Sequence, residues 1–143
     1  MKNIYSLLDA VRNETQLDIY ALYSGDETKH AIAESIFASV VAGLVGAYLK
    51  GLLAAEEQGK ARRAQLKDLF GRARRHEDMD ATPIETDAGK TLEQVAQHPV
   101  SEDAFKRATD MVIEELVAAG LTREVSESLA NKIALQVRQA LAG

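Results

Sequence analysis

From Ala31 to Gly59 every fourth residue is small: Ala31, Ser35, Ser39, Gly43, Ala47, Gly51, Ala55 and Gly59. Large apolar side chains fill most of the places between them, among them Ile36, Phe37, Val41, Leu44, Tyr48 and Leu52. A segment that is apolar round most of its circumference has to be buried, so this stretch predicts a long central helix surrounded by others. Gly43, Gly46 and Gly51 each cost a helix interior about 1 kcal/mol relative to alanine. The compensation expected is close approach, because small side chains let another helix axis come near and gain dispersion contacts along the backbone. Four residues turn a helix by about 400°, so the row drifts by about 40° at each step. It therefore crosses one neighbour obliquely or serves several in turn.

Two other uses of the row follow from the same residues. Ser39, Gly43, Ala47 and Gly51 could form an interface between copies of the chain, a homo-oligomer. Alternatively, a membrane-active protein could insert the apolar 31–55 segment as a hairpin. Against insertion, the uncharged run from Ser35 to Leu49 is 15 residues long and is bounded by Glu34 and Lys50, whereas a span needs about 20.

The chain has 143 residues, enough for one core, so 1–143 is expected to be a single helical domain. Aromatic residues make up 5 % and proline occurs twice, a composition that favours helices over a sandwich or barrel. Cysteine is absent, which removes disulfides, thiolate nucleophiles and cysteine zinc sites together. Asp9, Glu14 and Asp18 interrupt the first twenty residues; no secretory leader is visible, and a cytoplasmic location is the expectation.

The remaining signals place four to six helices. Ile4, Leu8, Val11, Thr15, Ile19 and Leu22 predict a first helix over about 2–23. Ser24, Gly25 and Glu27 mark a boundary, with Ser24 and Glu27 spaced as a capping box. The helical pattern then continues to about Arg75, which unbroken would be a rod of about 70 Å; Gly59 is the expected kink or break. The polar stretch 76–82 is the candidate linker between 1–75 and 83–143. Thr82, Pro83 and Glu85 read as N-cap, first helical position and N3 of the next helix. Ser101 caps another, whose stripe is Phe105, Ala108, Val112, Leu116 and Ala119. Gly120 suits the left-handed position that ends it, and Thr122 caps the last helix. With so short a connection these two form a C-terminal antiparallel hairpin.

Charge is unevenly spread. The net charge is -5, yet residues 60–76 hold seven of the 17 basic side chains and one carboxylate. On a helical wheel Lys60, Arg63, Lys67 and Arg74 fall within about 60°, with Arg75 just beyond, and Leu66, Leu69 and Ala73 opposite. Such a cationic face could contact an acidic protein partner or track a nucleic-acid backbone. It could equally be paired internally, since the carboxylates of Glu77, Asp78 and Asp80 follow at once.

No catalytic constellation is expected. His30 and Glu34 lie four apart but supply only half a metal site. Ala88-Gly89-Lys90-Thr91 ends like a phosphate-binding loop, yet position 84 is Ile84 where the earlier glycine should stand. Neither Glu56-Glu57 nor Glu114-Glu115 converges as an acid and a base must, because neighbours on a helix diverge. The last helix carries too little positive charge for a major-groove reader. The expectation is a non-enzymatic binding, adaptor or regulatory protein without metal or cofactor. A protein partner comes first, nucleic acid next, and a membrane is the least favoured.

Overall fold

The structure, a computed structural model, describes residues 3–23, 34–56 and 66–142. Six helices and no strand occur among the described residues: α1 (Ile4–Tyr23), α2 (Glu34–Glu56), α3 (Leu66–Arg74), α4 (Ala81–Val95), α5 (Glu102–Ala118) and α6 (Arg123–Ala142). The all-helical bundle expected from composition and periodicity is therefore observed.

Helix α2 is the centre of it and packs against each of the other five. Val40, Leu44, Val45, Tyr48, Leu49 and Leu52 are fully buried along its length. Full burial of a side chain of this size is worth about 1.5–3 kcal/mol, so no other helix contributes as much to the core. The segment Glu34–Ala55 is long and apolar enough to cross a bilayer, and 72 % of its most apolar window is buried inside the fold.

The small-residue row serves several neighbours in turn, as its drift requires. Within the row, a side chain added at Gly43 would collide with Leu69 of α3 and one added at Gly51 would meet Ala108 of α5; off the row, one added at Gly46 would face Ala88 of α4. Ser39 is buried, and its hydroxyl donates to the Ser35 carbonyl at 2.8 Å. Ala31 and Gly59, the ends of the row, lie outside the described residues.

The helical pattern does not run unbroken to Arg75. A straight helix would hold residues 43 and 69 about 39 Å apart, yet Leu69 lies directly over Gly43. Helix α3 is therefore not a straight continuation of α2. The Gly59 break and the Ser24 capping box fall outside the described residues.

A correction concerns the start of α4. Asp80, not Thr82, is the N-cap: its carboxylate accepts a hydrogen bond from the Thr82 amide at 3.0 Å, and the helix begins at Ala81. A charged acceptor two residues earlier wins the contest for the first-turn amides. Pro83 consequently occupies the third helical position, where a missing N–H is still harmless. The stretch before it is not merely a polar linker, because Met79 is buried in the core.

The C-terminal hairpin follows its sequence signals closely. Ser101 accepts from the Ala104 amide at 3.1 Å, and the five residues of the predicted α5 stripe are all buried. At its end Gly120 adopts φ 104°, with its amide bonded to the Val117 carbonyl and that of Leu121 to the Leu116 carbonyl. This is a Schellman closure, which only glycine enters without strain. Thr122 then caps α6 through the Val125 amide at 3.2 Å.

Candidate functional site

Helix α3 carries the described part of the basic segment. Leu66, Phe70 and Ala73 are buried, fixing one face on α2 and α5, while Lys67, Arg74 and Arg75 are exposed on the other. Between Leu66 and Glu77 four cations stand against two carboxylates. Lys60 and Arg63 lie outside the described residues.

The cations of this face differ in how they are held. Arg74 donates from Nη1 to the Ala119 carbonyl at 3.1 Å, reaching across to the C-terminus of α5. A cation there complements the helix dipole and satisfies a carbonyl left without an intrahelical partner. Arg75 donates to the Glu77 carboxylate, whose other oxygen lies 3.5 Å from Arg72. The hydrogen bond from Arg75, aided by the charges of both arginines, holds the Glu77 carboxyl below the usual carboxylate range. Lys67 makes no ion pair with any described residue. The basic row is thus partly paired within the chain, by contacts that orient its guanidinium groups.

Of the interface candidates on α2, Gly43 lies under Leu69 and Gly51 under Ala108. Ala47 is half-buried and lines a cleft of about 650 Å³ between α2, α3 and α4. Sequence reasoning missed this cleft. Its floor comes from Gly43, Gly46 and Ala47, and its walls include Leu69 and Ile84. Lys50 and Asp87 form an ion pair across it, from α2 to α4. The only sequence signal for it was the second glycine, Gly46, off the four-residue row.

A buried polar contact joins α2 to α5. The Tyr48 hydroxyl donates to the Phe105 carbonyl at 3.1 Å and lies 3.0 Å from the Thr109 hydroxyl. Burial pushes the Tyr48 phenol up, against a smaller opposing effect of the Thr109 hydrogen bond. A phenol so held is a neutral structural group at physiological pH. Of the proposed metal pair, His30 lies outside the described residues and Glu34 is paired with Arg12. Among the described residues no group of three or more metal-ligating side chains converges.

No family model matches the chain, and neither a curated protein nor a solved structure matches it.

Proposed function

We propose that this chain is a non-enzymatic binding protein that contacts an acidic protein partner through the cationic outer face of residues 60–75. The observation that supports this reading is the orientation of α3, with Phe70 and Leu66 buried and Lys67, Arg74 and Arg75 exposed. Guanidinium groups held by a carbonyl and a carboxylate lose little freedom when they engage a further carboxylate. A protein partner is favoured over single-stranded nucleic acid because Phe70, the aromatic ring nearest the row in sequence, is buried and offers no stacking platform.

The test is titration of the full chain with a glutamate-rich peptide and, separately, with a short DNA duplex, at about 50 and 200 mM salt. Salt-sensitive peptide binding that disappears in Lys67→Glu/Arg75→Glu supports the proposal. Binding of the duplex alone would transfer the surface to nucleic acid. Absence of binding to either probe at low salt sinks it.

A further inference from the structure

We infer, on the reading that the cationic face of α3 meets an acidic partner, that Glu77 is an internal competitor for that face. Its carboxylate occupies Arg72 and Arg75 and is displaced when a partner carboxylate takes their Nε edge.

The contact is built by the turn that ends α3. The Glu77 amide donates to the Arg72 carbonyl at 3.1 Å and the His76 amide to the Ala73 carbonyl at 3.0 Å, with His76 in the left-handed region at φ 54°. Such a closure folds the chain back over the last turn of its helix. The Glu77 carboxylate thereby meets two side chains of α3: one oxygen accepts from Arg75 Nε, and the other lies 3.5 Å from Arg72 Nε. Beyond it Met79 is buried and Asp80 caps α4, so the chain is anchored on both sides of residue 77. A group tethered this closely competes at an effective concentration on the order of 1 mM.

The same carboxylate has two opposed effects on a partner. As an acceptor it orients the guanidinium groups; as an anion it takes their Nε donors and lowers the charge that draws an acidic partner. Without its charge, the four cations between residues 66 and 77 stand against Asp68 alone. The pair stands in solvent, where water and salt weaken it, so a partner can displace it and the effect to look for is modest. Glutamine at this position keeps a side-chain acceptor and loses the charge, which separates the two effects.

The test is titration of the full chain, Glu77→Gln and Asp78→Asn with the glutamate-rich peptide at about 50 mM salt, together with the Nε–H resonances of Arg72 and Arg75 recorded without peptide. Glu77→Gln is expected to bind about threefold tighter than the unaltered chain. Asp78→Asn removes the same formal charge from an exposed neighbour that makes no ion pair with any described residue, and should gain less than half as much. Without peptide, Glu77→Gln should move both Nε–H resonances and Asp78→Asn neither. If the peptide binds Glu77→Gln no tighter than the unaltered chain, or Asp78→Asn as tightly as Glu77→Gln, the competition is overturned while the contact surface stands. Nε–H resonances left in place by Glu77→Gln overturn it whatever the peptide does. Absence of peptide binding to both the unaltered chain and Glu77→Gln removes the surface itself, and the competitor with it.

Discussion

Gly46 and Gly51 are five residues apart on the same buried helix, and they meet opposite surroundings. At Gly51 the α5 backbone comes so near that an added methyl would touch both the Cα and Cβ of Ala108, at 3.4 and 3.3 Å. At Gly46 the neighbouring helix stands off at van der Waals distance and a cleft opens alongside. One glycine is required by a helix crossing; the other has room for a methyl. The same residue type in one helix therefore carries two different meanings, which only the packing partner distinguishes.

The difference can be broken most severely at the crossing. Gly51→Leu forces α5 away from α2 and should cost about 3 kcal/mol, at the upper end of overpacking effects, read as a lower urea midpoint. The same contact can be weakened more gently through Tyr48→Phe, which removes one hydroxyl. Because Thr109 also donates to the Phe105 carbonyl, at 2.8 Å, that carbonyl keeps a partner and the loss should be about 1 kcal/mol.

At the other glycine the sign should reverse. Gly46→Ala gains helix propensity with no clash, and should raise stability by about 0.5–1 kcal/mol in the same measurement. A destabilised Gly46→Ala would mean that the two positions are alike after all. The smallest effect is expected away from both, at Glu77. Its carboxyl is held low in the folded chain, so its contribution is present above the unfolded carboxylate pKa and is lost as pH falls through the folded one. Glu77→Gln should therefore remove a small stabilisation at neutral pH and flatten the acid limb of the pH–stability curve.

Much of the architecture was legible because its causes are local. The Ser101 and Thr122 caps, the Gly120 turn and the stripes of α1, α5 and α6 each depend on residues within one or two turns of each other. The docking of α3 on α2 was not legible, because helix propensity is indifferent to where a helix lies and the contact of Leu69 with Gly43 joins residues distant in sequence. The start of α4 was misplaced by two residues because Asp80 and Thr82 are both good caps, and their contest is decided by geometry. The basic row was visible as composition, but its anchoring was not: that Arg74 would reach the Ala119 carbonyl depends on how α3 docks beside α5. The cleft left still less trace, since a concavity arises between elements and has no periodicity of its own.

The Schellman turn at Gly120 and the Arg74 hydrogen bond to Ala119 meet at one corner, with the guanidinium only 3.2 Å from where a Gly120 side chain would begin. A partner that takes the Nη1 donor, rather than the guanidinium N–H groups that Ala119 does not engage, draws Arg74 off the end of α5. By thermodynamic reciprocity, what loosens that corner also raises the affinity for the partner. The amides of Gly120 and Leu121, slow to exchange while the corner is closed, would then act as a built-in reporter of occupancy on a helix that neither of them belongs to.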